Sequence, residues 1–63
     1  MNNNILAVSP KVGFAMLGVG VTKGYELINE RALDTFKIGR ATRITTESIE
    51  RFIADRLTER KAA

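Results

Sequence analysis

The 63-residue chain has no cysteine, no histidine and a single proline. Without cysteine, no disulfide or thiolate metal site can reinforce the fold. A chain this short buries only about 60% of the surface its unfolded form exposes, so its core works with little margin. The same absence is compatible with a reducing compartment. Without histidine, the commonest metal ligand and the usual neutral-pH general base are both missing. No apolar run approaches the roughly 18 residues of a membrane span. The opening Met1-Asn2-Asn3-Asn4 has no basic stretch and no apolar signal segment behind it. Seven acidic side chains are present, but none are spaced as an acid/base couple. Gly18-Val19-Gly20 lacks the strand context and the third glycine of a dinucleotide fingerprint. These absences lead us to expect one soluble, cytoplasmic domain that is not an enzyme and has no cofactor, metal or membrane partner.

Ten basic residues against seven acidic ones give a net charge of +3. This excess suits a polyanion but is too small to single one out. The order of elements says more. Asn2 to Asn4 read as a flexible start, and residues 5–8 as an apolar stretch that either forms a β-bridge or packs on the core. Ser9-Pro10 is a helix opening: serine caps free N–H groups, and proline at the first helical position forfeits no hydrogen bond. A two-turn helix follows over residues 10–17, with Val12, Ala15 and Met16 at helical spacing and Leu17 beside them. Gly18 ends it as a residue free to take positive φ.

After the tight Gly18-Val19-Gly20 connection, a second helix is predicted over residues 21–30, with Tyr25, Leu27 and Ile28 on its apolar side. Either Gly20 or Thr22 serves as its N-cap, and Gly24 weakens its interior. The period then changes. Leu33, Phe36 and Ile38, separated by polar residues, read as a strand. Gly39-Arg40-Ala41 reads as a turn and Thr42-Arg43-Ile44-Thr45 as the returning strand. A two-stranded hairpin is barely stable alone and has to lie on the helices. Thr45 and Glu47 open a third helix, in which Ile49, Phe52, Ile53 and Leu57 form an amphipathic face and Glu47, Arg51, Asp55 and Glu59 the wet side. Residues 59–63 are expected to fray, leaving a domain over residues 5–58.

The expected fold is mainly α with a small β-hairpin: three helices and a two-stranded wing, a winged helix-turn-helix. Two helices joined by about three residues have the geometry that sends the second into the major groove of DNA.

Several segments carry a family likeness. The run from Ser9-Pro10-Lys11-Val12-Gly13-Phe14 to Gly18-Val19 resembles the first helix and turn of the excisionase-type, MerR-like winged helix proteins. Tyr25-Glu26-Leu27-Ile28 is similar to the end of that family's recognition helix. Ile38-Gly39-Arg40-Ala41-Thr42-Arg43-Ile44 is similar to its wing, and residues 47–53 to its closing helix. The resemblance implies a small DNA-binding protein of a phage, plasmid or integrating element, acting as an excisionase or as a transcriptional regulator. It also implies double-stranded DNA as partner. The chain departs from the family pattern in three places. Bulky Phe14 follows Gly13 where two small residues are usual. Gly20 and Val21 replace a serine cap and an arginine, and Glu26 stands where a basic residue is common.

In that geometry the opening of the second helix faces DNA through Val21, Thr22, Lys23 and Glu26. Valine can pack on a thymine methyl, threonine can donate to phosphate and touch thymine with its methyl, lysine can reach phosphate or guanine, and glutamate can accept from a cytosine amino group. Tyr25 is expected to pack its ring on Met16 and Leu27 while its hydroxyl meets a phosphate. On the wing, Arg40 is placed to enter the minor groove. Arg43 either joins it or lies along the strand, with Thr42 beside it and Lys37 a weaker phosphate candidate. Each of these residues also has a bland reading as solvated surface, and the wing arginines one as guards of an exposed strand edge. Lys11 and Arg31 are as readily solvated surface as contacts to flanking phosphates. A footprint this small seldom specifies a site alone, because each mismatch costs only about 1–3 kcal/mol. The size therefore suggests repeated sites, a dimer or cooperative array, or a partner such as an integrase or RNA polymerase. The rival reading is a protein-interaction module that keeps the fold but has lost DNA contacts.

Overall fold

A computed structural model describes the backbone of residues 5–62 and the side chains of residues 5–59. The asparagines expected to form a flexible start lie outside the described residues. The order of elements is β1 (Ala7–Val8), α1 (Pro10–Leu17), α2 (Val21–Asn29), β2 (Thr35–Ile38), β3 (Ala41–Thr45) and α3 (Thr46–Ala62). This is a winged helix-turn-helix of three helices with a small antiparallel sheet.

Local chemistry explains the start of α1. Ser9 sits in extended backbone and its side chain accepts from the Val12 N–H at 3.3 Å, with Pro10 in the first turn. The buried side of α1 differs from the expected one. Gly13 and Phe14 face the core, whereas Val12 and Met16 are about half exposed. Residues 12, 15 and 16 and residues 13, 14 and 17 are equally good helical stripes. The ring of Phe14 is the larger apolar group to bury, and Gly13 lets β3 and α3 come close beneath it. A Cβ on Gly13 would stand 3.0 Å from Ile44 Cδ1.

The apolar segment before α1 forms a strand. Ala7 and Val8 pair with Thr45 and Ile44, so the sheet order is β1-β3-β2 and β3 is central. The Thr46 hydroxyl donates to the Ile5 carbonyl at 2.8 Å and the Thr46 N–H to that of Leu6 at 2.9 Å, tying the chain start to α3. In the hairpin, Thr35, Phe36, Lys37 and Ile38 face Ile44, Arg43, Thr42 and Ala41. The turn is therefore the two residues Gly39-Arg40, and Ala41, expected in the turn, belongs to β3. Positive φ at Gly39 and not at Arg40 is the pattern of a type II′ turn.

Because directly opposed residues share a face, Thr35, Lys37 and Thr42 lie on the side of buried Ile44, and Phe36, Ile38 and Arg43 on the other. Leu33, expected within the first strand, is buried ahead of it.

Thr45 caps α3 as expected, its side chain accepting from the Ser48 N–H at 3.2 Å. Ser48, which the sequence reading passed over, is fully buried, and its hydroxyl donates back to the Thr45 carbonyl at 2.8 Å. Only the first part of the apolar face of α3 reaches the core. Ile49 is buried and Phe52 half-buried, but Ile53 and Leu57 are exposed. The 17-residue helix is about 26 Å long, and its later apolar residues lie beyond the part that packs on the core. Its backbone is helical through Ala62.

The core takes one large side chain from each major segment: Phe14 from α1, Leu27 from α2, Leu33 from the following loop, Ile44 from β3 and Ile49 from α3. Losing any of these large side chains is expected to cost several kcal/mol.

Candidate nucleic-acid interface

The candidate interface starts where α1 hands over to α2. The Gly18 N–H donates to the Ala15 carbonyl at 3.1 Å and the Val19 N–H to that of Phe14 at 3.0 Å, with Gly18 at φ 73°. This paired closure is a Schellman motif, which sets the angle at which the chain leaves a helix. Two residues later α2 begins, with Gly20 as its N-cap in extended backbone and no side chain bonded to its first N–H groups.

Val21, Thr22, Lys23, Tyr25 and Glu26 are all exposed on α2, with Leu27 buried behind them. The structure thus brings the five expected residues of this helix to one accessible surface. It also pairs two of them. Lys23 Nζ lies 3.7 Å from Glu26 Oε1, with both side chains more than half exposed. Such a surface pair contributes at most about 1 kcal/mol and is readily exchanged. The Tyr25 ring meets the edge of Phe14, with centroids 5.2 Å apart and planes at 79°. Its aromatic partner is therefore Phe14, and Met16, expected there, is half exposed.

Beneath this surface lies a contact that the sequence reading did not anticipate. A Cβ on Gly24 would stand 2.5 Å from the Phe14 ring. Phe14 in α1 and Gly24 in α2 form one fitted pair, large against nothing. The bulky residue that departs from the family pattern is accommodated by the glycine that seemed only to weaken the helix. Neither residue alone signals this, because they come together only once α1 packs on α2.

On the wing, Arg40 is exposed at the tip. Arg43 lies along β3, half-buried, and its Nη1 donates to the Thr42 carbonyl at 2.9 Å. It shares a face with Phe36, opposite to that of Lys37 and Thr42. The strand position thus separates Arg43 from Lys37 and Thr42. Arg51, expected on the wet side of α3, reaches across to Asp34 at 2.9 Å. The hydrogen bond and charge of Asp34 raise the Arg51 pKa further.

At the far end of α2, Arg31 has a φ of 65°. The Arg31 N–H donates to the Ile28 carbonyl at 3.0 Å and the Ala32 N–H to that of Leu27 at 2.9 Å. This is a second Schellman motif, with arginine in the left-handed place. No sequence signal marked it.

Among the described residues no group of histidine, cysteine, aspartate or glutamate is placed to hold a metal ion. No described helix is long and apolar enough to cross a membrane.

Two helices on a glycine-closed turn, followed by a hairpin wing, define a winged helix-turn-helix of the DNA-binding class. The helix-turn-helix domain family matches residues 14–57. An excisionase of Streptomyces ambofaciens is 43% identical over 54 residues, covering 86% of this chain and 86% of its own. No solved structure gives a significant match. The chain belongs to the excisionase-type helix-turn-helix family of small DNA-binding proteins.

Proposed function

We propose that this protein is the excisionase of an integrating element, binding duplex DNA beside the recombination site and directing the partner integrase by the shape it imposes on that DNA. The observation that carries this reading is the exposure of Val21, Thr22, Lys23, Tyr25 and Glu26 on a helix-turn-helix whose wing ends in Arg40. In this reading Val21, Thr22 and Glu26 face base edges, and Lys23 and the Tyr25 hydroxyl reach phosphate. Arg40 enters the minor groove, with Lys37, Thr42 and Arg43 supporting the wing. Transcriptional regulation through RNA polymerase is the finer alternative, and the excisionase among its relatives favours recombination. The protein acts through repeated sites or as a dimer, because one copy offers too few contacts to specify a site.

Fluorescence anisotropy with labelled random duplex DNA tests the binding surface. With about four phosphate contacts, wild-type affinity falls roughly a hundredfold between 50 and 200 mM salt. Arg40→Ala with Arg43→Ala gives a shallower slope. Absence of binding at 50 mM salt would overturn the reading in favour of a protein-interaction module. An excision assay with the cognate integrase, beside a reporter on the adjacent promoter, separates the two roles. Ultracentrifugation and footprinting that show one monomer on one isolated high-affinity site would sink the multi-site expectation.

A further inference from the structure

Between the end of α2 and the foot of the hairpin lies an open groove of about 520 Å³, lined by Ile28, Asn29, Arg31, Leu33, Asp34 and Thr35. We infer that this groove is a seat for the DNA backbone, with Arg31 as its phosphate-binding cation and Asn29 and Thr35 as neutral hydrogen-bonding partners. The inference rests on the DNA-binding reading above and extends it to residues outside the recognition helix surface and the wing tip.

When a recognition helix lies in the major groove and a wing in the adjacent minor groove, one sugar-phosphate strand separates the two. That strand has to pass between α2 and the hairpin, and the groove opens between these two elements. Lys37 and Thr42 lie on the same face of the hairpin as Thr35, so the path continues from the groove toward exposed Arg40. Arginine, asparagine and threonine are residue types that bind phosphate oxygens without reading sequence.

Asp34, the acidic residue of the groove, is held by Arg51 at 2.9 Å, which offsets its repulsion of an anion. Among the described residues Arg31 makes no ion pair and is exposed. The negative end of the α2 dipole also falls here, but two of its last carbonyls, those of Leu27 and Ile28, are already satisfied.

Arg31 occupies a left-handed backbone position that glycine would fill more cheaply, as Gly18 does in the matching turn. A strained residue held in place by its surroundings is a pointer to function.

Arg31→Gly tests the inference without risk of unfolding, because it relieves the turn. In anisotropy with random duplex DNA, the variant is expected to bind about tenfold more weakly at 50 mM salt. Its salt slope should be shallower by about 0.9, the signature of one lost phosphate. Arg31→Lys should keep most of the slope, and Asn29→Ala and Thr35→Val should each weaken binding severalfold without changing it. If wild type binds and Arg40→Ala weakens it, but Arg31→Gly leaves affinity and slope unchanged, the seat is overturned and the DNA reading stands. If wild type itself fails to bind at 50 mM salt, both fall together.

Discussion

The two ends of the helix-turn-helix close in the same way with opposite residues. At the end of α1 and at the end of α2, one N–H donates three residues back and the next donates five residues back. The left-handed residue is Gly18 in the first turn and Arg31 in the second. The first junction is built for fit. Glycine removes the steric cost of the turn, and Gly24 removes a side chain so that α2 can settle on Phe14. The second junction accepts a cost of about 1–2 kcal/mol for a side chain in left-handed backbone. Backbone closure therefore does not explain the choice of residue. In the DNA-seat proposal the difference lies in what each junction presents, and at the second one Arg31 lines the groove beside α2.

The largest effect should come from breaking the fit at the first junction. Gly24→Val drives a branched side chain into the Phe14 ring and should cost about 3 kcal/mol. Phe14→Ala alone should cost about 3–5 kcal/mol by leaving a cavity. Combined, the two should cost less than their sum by at least 1 kcal/mol, because the valine fills space the ring vacates. Urea denaturation of the four proteins measures this, and simple additivity would refute the fitted pair.

Next in size is the exchange of turn residues. Gly18→Arg, which copies the second junction into the first, should destabilise by about 1–2 kcal/mol. Arg31→Gly, the reverse copy, should stabilise by about 1 kcal/mol, raising Tm by roughly 4–8 °C in a domain of this size. Thermal melts by circular dichroism decide both. Equal and opposite shifts would mean that the turns are interchangeable as structure and differ only in what they present.

The smallest effect is expected at Arg51. Its pair with Asp34 is about half exposed on both sides, so Arg51→Ala should cost no more than about 0.5 kcal/mol. Its sharper readout is DNA affinity. Freeing the Asp34 carboxylate beside Arg31 should weaken binding more at low salt than at high salt.

Punctuation made much of the architecture legible. Ser9-Pro10, Gly18, Gly39 and Thr45 each do locally what their residue type does best, so the order of helix, turn, helix, hairpin and helix could be read directly. Exposure of the candidate residues on α2 was legible as well, because Leu27 marks the buried side. Faces were harder to assign. Two overlapping stripes on α1 have the same period, and volume decided between them. The apolar face of α3 is continuous in sequence, yet the small body covers only its beginning. Arg31 was not legible, since nothing in the segment around it marks a left-handed turn that glycine usually fills.

Helix starts, the glycine turns and strand alternation depend on contacts within a few residues, and the 63 letters were enough to determine the order of elements and, through it, the winged helix-turn-helix class. The union of Phe14 with Gly24, the burial of Ser48, the reach of Arg51 to Asp34 and the groove beside Arg31 were decided by tertiary structure. Each depends on the distance between segments far apart in the chain or on how closely they pack, and no local period encodes either.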